Sequence, residues 1–253
     1  MRIPTFRFPG NITLYNLGDV HRGDRNCNVD LWRRIVKAIQ EDETAYWVST
    51  GDLLNVALKT SLSDPAKSMS LEEEFNALCG ELEPIKGRCL GIVGSNHHHR
   101  VQKAIGMDLD GIISRELDIP YYGPLRVLNI ICDRCSYVTI LHHGVGGGKK
   151  RGGAVNNLDE LGDVIGGADL YLEGHTHKFT THQNLVPYLD RKRNILNYHT
   201  AHFVTTGHFL NWEKSYAQDF KLRPQPQGAA KMNLYASECG RSEIKKISVE
   251  LFN

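Results

Sequence analysis

Five short apolar runs in this chain each stop on residues that can hold a cation or a phosphate. Leu17-Gly18 leads into Asp19, Val20 and His21, and Ser49-Thr50-Gly51 leads into Asp52. Gly91–Gly94 leads into Ser95, Asn96 and three imidazoles, His97, His98 and His99. Tyr137–Leu141 leads into His142-His143-Gly144, and Leu172-Glu173-Gly174 into His175, Thr176 and His177. A stable core has no use for Asp, Asn and His at such places. Gathered at the mouth of a sheet they make one site, because ligands bind beyond the carboxyl ends of strands. Asp19 with His21, and His175 with His177, each place two donors on the same side of an extended segment. The set is two carboxylates, an amide oxygen and several imidazoles, with no thiolate. That mix suits borderline divalent ions: manganese, iron, zinc or cobalt. Seven such donors are too many for one tetrahedral zinc. They suit two ions sharing a carboxylate, roughly 3.5–4 Å apart.

The elements that must position these groups alternate along the first two-thirds of the chain. Ile12–Leu17, Tyr46–Ser49, Cys89–Val93 and Leu170–Leu172 read as strands. Asn28 caps a helix whose buried stripe is Leu31, Ile35, Ala38 and Ile39. Ser70 with Glu73 forms a capping box ahead of Leu71, Phe75, Leu78 and Leu82. The stretch 101–117 reads as helical, interrupted near Gly106–Asp108. Val127–Ile131 and Ser136–Leu141 make a hairpin around Cys132-Asp133-Arg134-Cys135. Gly144–Gly153 reads as a basic glycine-rich loop, and Asn157–Ile165 as a helix ended by Gly166-Gly167. Beyond Lys178 the helical period fades, and Ile195–Tyr198, Phe203–Thr206, Met232–Ala236 and Ile244–Leu251 are strand-like. No linker or composition shift divides residues 1–253, so one domain is expected, with its motifs in 12–180 and a strand-rich part in 181–253.

The bulk numbers exclude several classes. The chain has 253 residues, 41% hydrophobic, with a formal charge of +1. There is no global basic field to draw nucleic acid or an anionic membrane. No apolar run reaches the roughly 18 residues of a membrane helix, and the first residues lack the apolar core of a signal peptide. A cytoplasmic protein with no membrane partner is expected. Six cysteines in so long a chain are no disulfide scaffold. The lone CxxC has no second pair to close a zinc site and is read as capping its hairpin.

The five blocks, in the order Gly18-Asp19-Val20-His21, Gly51-Asp52, Gly94-Ser95-Asn96-His97, His142-His143-Gly144 and Gly174-His175-Thr176-His177, resemble the calcineurin-like metallophosphoesterase family. Its pattern is D-x-H, G-D, G-N-H-[DE], H and G-H-x-H. The resemblance implies an α/β fold, a four-layer α/β/β/α sandwich of mixed sheets flanked by helices. It implies that Asp19, His21 and His177 hold one ion, that Asp52 bridges, and that Asn96, His142 and His175 hold the second. In the fourth block, His142-His143-Gly144, His142 is preferred to His143, because the family's ligand follows the strand directly. His97 would be unliganded, protonating the leaving oxygen or steadying the phosphate. The cofactors would be two divalent ions, manganese favoured. The chain departs from the pattern twice: Ser95 precedes Asn96, and His98 stands where an acid orients the catalytic histidine. Asp24 is a candidate to replace that acid.

The reaction implied is phosphoester hydrolysis. A phosphodiesterase, including a nuclease acting on nucleic acid or nucleotides, is favoured because of the basic loop and the run Asp19-Val20-His21-Arg22-Gly23. The alternatives are a phosphomonoesterase or nucleotide phosphatase, and a non-catalytic binding scaffold of the same fold. Arg22, Lys149, Lys150 and Arg151 are candidates to hold the substrate. The loop Gly144–Gly153 fails the P-loop pattern, with His143 at the first glycine and Lys150 at the Ser/Thr. His199, His202 and His208 are read as packing or surface residues. The oligomeric state is not legible.

Overall fold

The computed structural model describes residues 2–58, 69–146, 150–213, 215–236 and 245–253, without the side chains of residues 216 and 219. One sheet holds β2 (Ile12–Gly18), β3 (Ala45–Gly51), β4 (Cys89–Ile92), β10 (Ala229–Leu234) and β11 (Ile247–Phe252), in the order β11-β10-β2-β3-β4. The other holds β1 (Thr5–Phe8), β5 (Leu125–Cys132), β6 (Cys135–His142), β7 (Leu170–Glu173), β8 (Thr180–Asp190) and β9 (Ile195–Thr205), in the order β1-β5-β6-β7-β9-β8. Both are mixed. Within them β2, β3 and β4 run parallel, as do β6, β7 and β9.

The sheets pack face to face through Leu14, Val48, Leu128, Tyr137, Leu172 and Met232. Outside the first sheet lie α1 (Val29–Glu41), α2 (Leu71–Leu82), α3 (Asn96–Ile105) and α4 (Leu109–Leu117). Their Trp32, Leu78, Val101 and Ile113 pack with Tyr15, Leu17 and Trp47 of the strands. Outside the second sheet α5 (Arg151–Val164) sets Leu158 and Leu161 against Ile140, Tyr171 and Phe203. A short α6 spans Tyr216–Asp219. The layering is α/β/β/α, as the sequence led us to expect. Among the described residues no helix is long and apolar enough to cross a membrane.

Local chemistry accounts for the boundaries. Asn28 accepts the Leu31 N–H at 3.1 Å and starts α1. Ser70 and Glu73 form both halves of a capping box on α2. Cys132 lies opposite Cys135 in the β5–β6 hairpin, and both are buried free thiols. Three features differ from the sequence reading. Helix α5 begins at Arg151, so Gly152 and Gly153 are helical rather than loop. Strand β8, with Pro187 inside it, lies at a sheet edge, where a missing N–H is tolerated. His98, which stands where the pattern has an acid, is only 2% exposed and is paired with Asp110 at 2.6 Å.

One helix residue braces the loop after β3. Glu74 of α2 is buried and accepts the Val56 N–H at 3.0 Å. Burial pushes its carboxyl from 4.5 up to about 7, against the lowering effect of the Val56 and Asn55 amides. The folded chain therefore holds a proton that the unfolded chain releases between those values. Stability from this group is full below pH 4.5 and is lost as pH rises through 7, by up to about 3 kcal/mol. Glu74→Gln keeps an acceptor and removes the charge. The variant should gain on the native chain by roughly 5 °C or more in Tm between pH 5 and pH 8. An unchanged Tm difference at the two pH values would refute this account.

Candidate metal centre

The parallel strands of both sheets end at one cleft. Asp19 follows β2, Asp52 follows β3, Asn96 opens α3 beyond β4, His143 follows β6, and His175 and His177 follow β7. Two trios have their ligand atoms within 4.8 Å of one another: Asp19, His21 and His177, and Asp52, His143 and His175. Asp52 also forms a trio with His21 and His97, so it stands between the two halves. His21 Nε2 faces His177 Nε2 at 2.9 Å. His143 Nε2 lies 3.0 Å from Asn96 Oδ1, 3.2 Å from His175 Nδ1 and 3.4 Å from Asp52 Oδ2.

The backbone is bent to bring these groups in. Asp19, His21, Asp52, His175 and His177 all have φ between 50° and 65°. Non-glycine residues rarely adopt that left-handed region, and such strain, about 1–3 kcal/mol each, gathers at functional sites. The glycines before the ligands serve close approach. A Cβ on Gly51, itself at φ +96°, would lie 2.6 Å from Ser95 Cβ. One on Gly174 would lie 2.9 Å from Thr50 Oγ1 and 3.2 Å from Asp19 Oδ2.

Two carboxylates in this cleft are almost wholly shielded, Asp19 at 0% and Asp52 at 1% exposure. Burial pushes Asp19 up to about 8, with the Asp52 charge adding to it against the pull of His143. Burial drives His21 and His177 well below the usual imidazole range, helped by His97 beside His21 and by His21 and His208 beside His177. Burial also opposes charge on His143, but Asp52 outweighs it and holds that ring up to about 9. Asp19 Oδ2 and His21 Nδ1 have no hydrogen-bond partner. Buried carboxylates demand a compensating cation, and neutral imidazoles offer lone pairs. The residues present therefore fit divalent ions.

Several sequence expectations are corrected. Of the pair His142-His143, the residue in the cluster is His143. His142 sits on the opposite face of β6, its Nδ1 bonded to Glu173 Oε1 at 2.9 Å. Arg22 is not available to a phosphate: its guanidinium is bound by Glu81 at 3.0 and 3.2 Å, and Trp32 Nε1 donates to the same carboxylate at 2.8 Å. Lys150 and Arg151 are exposed at the start of α5 and do not line the cleft, and Lys149 lies outside the described residues. Asp24 does not orient His97. The His97 Nδ1–H donates to the Asn55 carbonyl at 2.8 Å, leaving Nε2 3.7 Å from Asp52 Oδ2. Asp24 Oδ1 instead accepts the Asn26 N–H at 2.8 Å.

Sequence reasoning passed over Asn55, a backbone acceptor that no residue type announces. It also passed over His208. That ring is 7% exposed and stacks on His177, centroids 5.3 Å apart and 10° from parallel. His208 lines a cavity of about 510 Å³ that opens from Asp52, Asn96, His97, His175 and His177.

No family model matches this chain, and no curated protein matches it. Among solved structures it is similar to the crystal structure of Chaetomium thermophilum Vps29, with 13% identity and a TM-score of 0.42, over 94% of this chain and 96% of that one.

Proposed function

We propose that this chain is a dinuclear metal-dependent phosphoesterase of the calcineurin-like kind. One observation carries the reading. Asp19, His21, Asp52, Asn96, His143, His175 and His177, spread over five separate stretches of sequence, face one cleft with Asp52 between two clusters. Asp19, His21 and His177 would hold one ion, Asn96, His143 and His175 the other, and Asp52 both. Divalent ions bound there supply Lewis acidity, drawing charge off a phosphoryl group and easing deprotonation of the attacking water.

The chain's own residues supply the rest. Because Nδ1 of His97 donates to Asn55, the proton this ring exchanges sits on Nε2, on the cleft side. It passes to the ester oxygen as its bond to phosphorus breaks. Water contributes the oxygen that joins phosphorus. One of its protons restores His97, and the other stays on the phosphate product. Arg100 and Arg223 line the cleft and suit an anionic substrate. Manganese is the favoured ion, and a phosphodiester the favoured ester on the strength of the Asp19–Gly23 run. The support first drawn from Lys150 and Arg151 falls away, and Lys149 lies outside the described residues. Among the described residues Cys27, Cys79, Cys89, Cys132 and Cys135 are free thiols, which accords with the cytoplasm.

The test is metal analysis of the purified chain beside hydrolysis of bis(p-nitrophenyl) phosphate and p-nitrophenyl phosphate. The expected result is bound divalent metal and faster turnover of the diester. Turnover of the monoester alone would reject the diesterase preference. A metal-replete chain inert to both esters would reject the enzyme.

A further inference from the structure

Helix α3 presents Asn96 and His97 in its first turn, yet it starts without a cap of its own. Ser95 stands at the N-cap, but its side chain caps nothing and is buried. A helix start without that bond has orphan N–H groups and little to fix its first turn. Here the hold comes from another helix. Asp110, in the first turn of α4, is 2% exposed and sets both carboxylate oxygens on the start of α3. Oδ2 accepts the Ser95 N–H at 3.1 Å, and Oδ1 pairs with His98 Nδ1 at 2.6 Å. Gly94 runs alongside, where an added Cβ would lie 3.7 Å from Asp110 Oδ2.

These contacts bracket Asn96 and His97. Asn96 Oδ1 faces His143 Nε2 at 3.0 Å, and the His97 Nδ1–H donates to the Asn55 carbonyl at 2.8 Å. Both geometries depend on where the first turn of α3 sits. Ser95 and His98 are the two places where the chain departs from the family pattern, and Asp110 meets both. Packing alone does not ask for this arrangement. An apolar pair of the same volume would join the two helices as well or better, so the buried pair is better explained by the position it fixes. A charge-assisted contact in a shielded place is also strict about distance and direction.

We propose that Asp110 is a positioning residue for the metal centre. It clamps residues 95 and 98, so that Asn96 meets an ion and His97 Nε2 faces the ester. The chemistry of the clamp rests on the phosphoesterase reading, and its geometry does not.

Asp110→Leu combined with His98→Leu tests it, since an apolar pair in place of a buried ionic one is often neutral in stability. The His97 ring gives a reading that needs neither metal nor substrate. Its Nδ1 proton, held on Asn55, should exchange with water at least tenfold faster in the variant, as followed by nuclear magnetic resonance. Manganese affinity, read by calorimetry, should fall about tenfold or more, the usual cost of losing a group that orients a ligand. With manganese saturating, alkyl phosphodiesters should slow at least tenfold more than p-nitrophenyl esters. In a His97→Ala background that excess should vanish. If the double variant does not fold, Asp110→Asn, with one acceptor oxygen for two donors, is read in the same way. Unchanged proton exchange and manganese affinity, or an excess that persists without His97, would overturn the inference and leave the phosphoesterase intact. Faster exchange and weaker manganese binding, with neither ester hydrolysed by the native chain, would support the clamp and sink the phosphoesterase.

Discussion

Asp52→Asn should lose its divalent metal and cut ester hydrolysis by about a thousandfold or more. Asp52 is the residue common to both halves of the cleft, with His143 Nε2 at 3.4 Å on one side and the trio with His21 and His97 on the other. An amide removes the anionic oxygen that two cations would share, and about 4 kcal/mol of transition-state stabilisation corresponds to that factor. The fold should survive. Asn can still accept the His97 N–H that Asp52 Oδ1 now accepts at 3.3 Å. Burial is the largest single influence on this carboxyl, but the imidazoles of His143, His97 and His21 together outweigh it and hold it ionised, so the amide gives up a favourable charge interaction. The metal-free variant should therefore melt no higher than the metal-free native chain, while still unfolding cooperatively. What should vanish is the rise in Tm on adding manganese, since an ion that binds only the folded chain stabilises it by mass action. A variant that kept both its metal content and its turnover would leave the dinuclear reading without its centre.

The sequence made most of this site visible, and its failures have physical causes. Glycine followed by Asp, Asn or His at a strand end is a pattern of residue types, and such patterns survive without coordinates. The choice between His142 and His143 is a question of face. Tyr137 and Leu141 point between the sheets, while Ile140 points toward α5. His143 shares the parity of the first pair and His142 that of Ile140. Both faces of β6 are apolar, so the sequence has no alternation from which to tell them apart. Glu173 has the parity of Tyr171, which is why it meets His142 and not the cleft. Arg22 was misjudged for another reason. Its partner Glu81 lies 59 residues further on, and nothing local marks the pair. The left-handed backbone at Asp19, His21, Asp52, His175 and His177 is equally silent in sequence, because it is imposed by the sheets on either side. Helix α5 hid its first turn behind Gly152 and Gly153, residues that weaken the helical signal without forbidding the helix.

His97→Ala should separate esters by their leaving groups. In the proposed reaction the ring donates a proton from Nε2 to the departing oxygen, and its orientation comes from the 2.8 Å bond between Nδ1 and the Asn55 carbonyl. An alkoxide is a poor leaving group and needs that proton as its bond breaks. Losing the donor should slow alkyl esters by about 10²–10⁴-fold. Nitrophenolate departs without help, so nitrophenyl esters should slow far less. Burial lowers the affinity of this imidazole for its proton while the Asp52 charge raises it, with the net effect downward, which favours a donor that gives the proton up readily. The competing role is ligation, since His97 also lies in a trio with His21 and Asp52. A ligand would betray itself differently: both ester types would slow by one common factor, and bound metal would fall with them. Metal retained, with a rate deficit that steepens as the leaving group becomes more basic, is the outcome that assigns the proton to His97.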